Sequence, residues 1–99
     1  MKKKFAFILM SDAYNPDVHQ ASFEKETMST HIYTVRSFEE ACSKLKELEK
    51  EGIGVVEPCG AFGPEKVQQL TELSHNKIAI GYVVHNPEQD QLFDAFFGH

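Results

Sequence analysis

Apolar and polar positions along this chain switch between two periods, and the switches mark its elements. Residues 4–10, KFAFILM, are apolar at nearly every position. That is the pattern of a strand covered on both faces, the parallel-sheet type. A polar stretch follows, Ser11–Thr30. Within it, Asn15-Pro16-Asp17 combines an N-cap residue, a proline at the first helical position and an acid in the first turn. This predicts a short helix over about Pro16–Lys25 that buries Val18 and Phe23. His31–Val35, HIYTV, alternates and is rich in β-branched residues, as expected of an edge strand.

The second half is more regular. Ser37 and Glu40 form a capping box, and Phe38, Ala41, Cys42, Leu45 and Leu48 then recur at helical spacing up to a stop at Gly52. Ile53–Glu57 is a short strand. Pro64 opens a helix carrying Val67, Leu70 and Leu73, which ends near Asn76. Lys77–Val84, KIAIGYVV, is a second strand apolar on both faces. Asn86-Pro87-Glu88 starts a last helix with Leu92, Phe93, Phe96 and Phe97 on one broad face, ended by Gly98. Strand, loop, Asn-Pro-acid and helix occur in both the first and the last quarter, a weak internal echo.

Alternation of strands and helices implies right-handed crossovers and a parallel sheet. The expected fold is a small flavodoxin-like three-layer α/β domain over residues 1–99, with a mostly parallel four-stranded sheet. A ferredoxin-like α+β fold is the alternative, because the long first connection has room for an antiparallel return.

Composition narrows the function classes. Ninety-nine residues with 41% apolar and 25% charged side chains suit one globular domain. The net charge of −5 repels phosphate backbones, and Lys2-Lys3-Lys4 is the one basic cluster, so no nucleic-acid partner is expected. The apolar run after those lysines stops at Ser11, short of a signal-peptide core, and no run approaches the roughly 18 residues of a membrane span. A cytoplasmic protein without membrane contact is expected. Two cysteines form no secreted-type framework.

Candidate chemistry collects where strands end, the edge at which parallel sheets bind ligands. There the sequence places Asp12, Arg36, Glu57, Cys59, the Gly60–Gly63 loop, His85 and Asn86. Cys59 precedes a helix start, and glycines at 60 and 63 would let backbone N–H groups approach an anion. The residue types favour a buried small residue in a tight turn for Cys59; the alternative is a nucleophile with His85 as base. Arg36 could clamp a carboxylate, or pair with Glu39 or Glu40 on the surface. The loop matches neither the dinucleotide fingerprint nor the P-loop, so no cofactor is implied. No histidine, cysteine and acid share a metal-site spacing, so no metal is expected. Most of the face of Leu92, Phe93, Phe96 and Phe97 should cap the sheet, but it is wide and the chain short, so part of it is left for another subunit, which favours a homo-oligomer.

The blocks CGAFG and GYVVHNPEQD, with KFAFILM and THIYTVRSFEEA, span nearly the whole chain. In them the chain resembles a family of small prokaryotic proteins known only as a domain of unknown function. The resemblance implies a stand-alone cytoplasmic protein and brings no catalytic residues. Three readings follow: a protein binding a small anionic or polar ligand at the sheet edge; a cysteine-dependent isomerase, lyase or thiol hydrolase using Cys59 and His85; or an oligomeric interaction subunit.

Overall fold

The structure, a computed structural model, describes residues 2–98. Five strands form one mixed sheet: β1 (Lys3–Met10), β2 (Ala21–Glu24), β3 (Met28–Val35), β4 (Val55–Pro58) and β5 (Ala79–Ile80), in the order β2-β3-β1-β4-β5. β1 pairs in parallel with β3 and with β4, and β4 with β5, while β2 runs antiparallel to β3. Three helices complete the chain: α1 (Phe38–Lys50), α2 (Gly63–Ser74) and α3 (Asp90–Phe97). The expected α/β class holds; the four-stranded, mostly parallel sheet gives way to five strands with an antiparallel edge.

The difference begins in the first connection. Asn15 does start a turn: its Oδ1 accepts from the Asp17 N–H at 3.1 Å, and its carbonyl accepts from His19 at 2.8 Å. The turn does not propagate. Residues 15–20 carry one aliphatic side chain, Val18, and a helix without an apolar stripe gains nothing by packing. The chain instead enters β2, so Phe23 lies in an edge strand rather than a helix. β3 is longer than expected and becomes interior, with β2 outside it. His31 pins the two together, with Ser22 Oγ and Ser29 Oγ each 2.7 Å from its ring nitrogens.

The other helix signals act as the sequence implies. Ser37 Oγ accepts from the Glu40 N–H at 3.2 Å, and Gly52 ends α1 at φ 82°. The Glu40 carboxylate reaches back one residue further than a standard capping box, accepting the Arg36 N–H at 2.8 Å.

Both long helices lie on one face. The crossovers β3-α1-β4 and β4-α2-β5 step in the same direction across the sheet, and right-handed crossovers in one direction put their helices on one side. The core accordingly forms between that face and the helices: Ala6, Ile8, Val35 and Val56 against Ala41, Leu45, Leu48, Val67 and Leu70. The opposite face carries Phe5, Phe7 and Leu9 from β1, Thr30, Ile32 and Thr34 from β3, Phe23 from β2 and Val55 from β4. None of these belongs to the core. The first connection crosses that side, where Thr34 Oγ1 donates to the His19 carbonyl at 2.7 Å. The expected three layers are therefore two.

Between β4 and α2 the chain makes one 3-10 turn, Gly60–Phe62, that plugs Phe62 into the core. Gly63 then adopts φ 73° and ψ 164°, a region open essentially to glycine. Gly63→Ala should cost about 1–3 kcal/mol. Gly60→Ala should be nearly neutral, since its added methyl meets only the Val83 carbonyl at 3.5 Å. Urea unfolding of the two variants checks both; equal losses would mean that the turn is not held by backbone conformation.

Candidate functional site

A cavity of about 590 Å³ opens at the carboxyl ends of β1, β4 and β5 and is walled on its outer side by α3. Leu9, Met10, Ser11 and Tyr14 come from β1 and the loop beyond it. Cys59, Gly60 and Ala61 come from the turn after β4. Val83, Val84 and His85 follow β5, and Phe93, Asp94 and Phe97 come from α3. Its size and its mainly apolar wall suit a small organic molecule.

Sheet hydrogen bonds hold these residues in place. The Cys59 N–H donates to the Ile8 carbonyl at 3.0 Å, which extends the β1–β4 ladder by one residue. In return the Met10 N–H donates to Cys59 Sγ at 3.4 Å, fixing the sulfur beside the end of β1. Past β5, Gly81 donates to Val56 at 2.8 Å and Val83 to Pro58 at 3.3 Å. The chain is thus guided along β4 until His85 stands at the cavity.

His85 is held from two sides. Its ring stacks on Phe93 with centroids 3.8 Å apart, and its Nδ1 lies 3.0 Å from Asp90 Oδ1. The turn between them makes this possible. Asn86 Oδ1 accepts the Glu88 N–H at 3.0 Å and Pro87 begins a single 3-10 turn, so Asp90 folds back over His85. With Asp90 at one ring nitrogen, the other is the one that can meet a bound molecule.

Of the candidate residues, Cys59, Gly60 and His85 line this cavity together. No hydrogen bond joins Cys59 to His85 among the described residues. Asn86 positions His85 from outside the cavity. Gly63 sits at the start of α2. Glu57 lies on the open side of the sheet with its carboxylate over Gly81, where a Cβ would come within 2.1 Å of Oε1. Asp12 is exposed and lines neither this cavity nor the groove beside α1.

Arg36 borders a separate groove beside α1 and is engaged there by Glu40, with Nε at 3.0 Å and Nη2 at 2.8 Å from Oε2. Hydrogen bonding to Arg36 holds the Glu40 carboxyl below its usual range, and the same bond raises Arg36. That groove is lined by Asp17, Glu39, Glu40 and Glu47 as well, which disfavours an anion. Cys42 lies against the core, and burial pushes its thiol up.

Sequence reasoning missed two things. Asp90 is the partner of His85, five residues on; the Asn-Pro turn between them is the signal that could have found it. Phe93 and Phe97 wall the cavity, a role that the spacing of the last helix, which implies capping of the sheet and a remainder for a second subunit, does not indicate. No lysine or arginine lines the cavity, and no group of three or more histidine, cysteine or acidic side chains among the described residues could hold a metal ion. No helix among them is long and apolar enough to cross a membrane.

The model of a family of unknown function, DUF6506, matches residues 3–98, and the chain belongs to that family. No curated protein and no solved structure matches it.

Proposed function

For this member of the DUF6506 family we propose the binding of a small organic molecule in the cavity between β1, β4, β5 and α3. The ligand has a flat apolar body and a hydrogen-bonding head. The single observation that carries the reading is the His85–Phe93 stack closed by Asp90, which presents an oriented imidazole at the edge of an apolar cavity. Leu9, Met10, Val83 and Phe97 receive the body; His85, Ser11 and Tyr14 meet the head. With Asp94 on the wall and no cation beside it, the cavity favours a neutral head over an anionic one.

Indole and phenol are suitable probes, with benzoate as the anionic comparison. Backbone amide spectra of the protein titrated with indole should show shifts at Gly60, Ala61, Val83 and His85, and none in α1. A ligand at a hundred times its Kd stabilises by about 2.7 kcal/mol, a rise of several degrees in Tm. Phe93→Ala should abolish the shifts while leaving the core spectrum unchanged. Shifts spread evenly over the surface, or unaffected by Phe93→Ala, would refute the reading.

One observation favours a second reading, thiol chemistry. Cys59 lines the same cavity as a histidine already oriented by a carboxylate, the order of parts found in cysteine nucleophiles. In this reading His85 takes the thiol proton and Asp90 steadies the imidazolium, while Cys59 attacks a carbonyl of the bound molecule. Alkylation by iodoacetamide at neutral pH then goes first to Cys59, faster than to free cysteine, and slows at least tenfold in His85→Ala. A Cys59 rate equal to that of free cysteine and indifferent to His85→Ala would reject it.

A further inference from the structure

The open side of the sheet and the outer edge of α3 are both apolar, and neither meets the core. Parallel sheets are normally covered on both faces. Here Phe5, Phe7, Leu9, Ile32 and Val55 are only partly buried, and Phe23 beside them is 58% exposed. On α3, Leu92 and Phe96 stand one turn apart, 68% and 82% exposed, and neither lines the cavity. A sheet face that needs a helix and a helix edge that needs an apolar bed thus occur on one chain.

The geometry points to a second copy of this chain as the occupant. We propose that two copies form a two-fold dimer in which the Leu92–Phe96 edge of each α3 lies on the open sheet face of the other.

Three observations favour a copy over another partner. The first is complementarity of kind, since each chain supplies the element the other lacks, as a two-fold interface requires. The second is charge. Beyond Lys77 the chain has no lysine or arginine, and α3 and the turn before it carry Glu88, Asp90 and Asp94. The open face carries Lys3, which by strand alternation shares the side of Phe5 and Phe7, and Lys25 stands in the β2–β3 turn; Glu57 is an acid on the same side, so the contrast with α3 rests on the Lys3 and Lys25 end of the face. The third is area. At roughly 200 Å² per large side chain, Leu92, Phe96 and Phe23 at 68%, 82% and 58% exposure leave about 400 Å² open on each chain, and two copies with their partly buried sheet residues reach on the order of 1,000 Å², the lower end for a specific interface.

Sedimentation of the full chain at micromolar concentration tests this. The expected mass is twice the 11.2 kDa of one chain. Phe96→Glu and Phe23→Lys alter the helix edge and the sheet face respectively. Both positions are mostly exposed, so each variant should keep its far-UV spectrum and sediment as a monomer. Lys3→Glu, which sets like charges across the rim, should raise the dissociation constant at least threefold at low salt and less at high salt. A monomeric wild type overturns the proposal; that result includes closure of α3 onto its own sheet. A Phe96→Glu protein that remains dimeric overturns it too. So does a Phe23→Lys protein that folds and remains dimeric, since pairing would then run elsewhere, such as helix on helix. Should Phe23→Lys fail to fold, the Lys3→Glu dissociation constant decides the same point. The two readings share Leu9, which belongs to both the open face and the cavity wall, but Phe23, Lys3 and Phe96 do not line the cavity, so their variants read pairing while Phe93→Ala reads binding.

Discussion

The handedness of strand crossovers is the constraint from which the rest of this structure follows. α1 and α2 are carried over the same face because β3, β4 and β5 are laid down in one direction. A doubly wound sheet covers its other face by starting at an inner strand and sending the first crossover the opposite way. This chain also starts at an inner strand, β1, and its first connection does travel the opposite way. It simply contains no helix. The segment that would have supplied the cover becomes a turn and the short strand β2. The sheet gains an edge and loses a layer.

The same topology places the cavity. Parallel β1, β4 and β5 end at one rim, so backbone ladders deliver Met10 and Cys59 there, and the chain running on beyond β5 brings His85 to the same rim. The helix beyond β5 has no third face on which to lie and closes this rim instead. α3 thereby divides its apolar arc: Phe93 and Phe97 turn to the cavity, Leu92 and Phe96 turn away from it. The proposed binding and the proposed pairing would use the two sides of one helix. A ligand that orders the inner side would stiffen the outer side as well.

Much of this was legible in the residues. The Ser37–Glu40 cap, the Gly52 stop and the Pro64 and Asn86-Pro87 starts are local signals that the structure uses, because each satisfies backbone groups within a few residues. The α/β class followed from their alternation. The Asn15-Pro16-Asp17 signal is also used, but a cap only begins a helix; without apolar spacing beyond Val18 nothing sustains it. KFAFILM describes a strand whose two faces are both apolar, and it cannot say which molecule covers the second. The meeting of Cys59 and His85 at one cavity depended on strand order, which no spacing encodes. Asp90 was hidden for a subtler reason: the acid that meets a histidine across a 3-10 turn lies outside the spacings that mark helical pairs.

A chain that leaves a helix edge and a sheet face unmatched within itself, and matches them with a second copy, is the central claim. Its most direct test is an isotope-filtered nuclear Overhauser spectrum of an equal mixture of labelled and unlabelled protein. Cross-peaks between the Phe96 ring of one copy and the Phe7 or Ile32 side chains of the other are the predicted result. A mixture with no cross-peaks between copies, in which Phe96 shows contacts only within its own chain, would contradict the account.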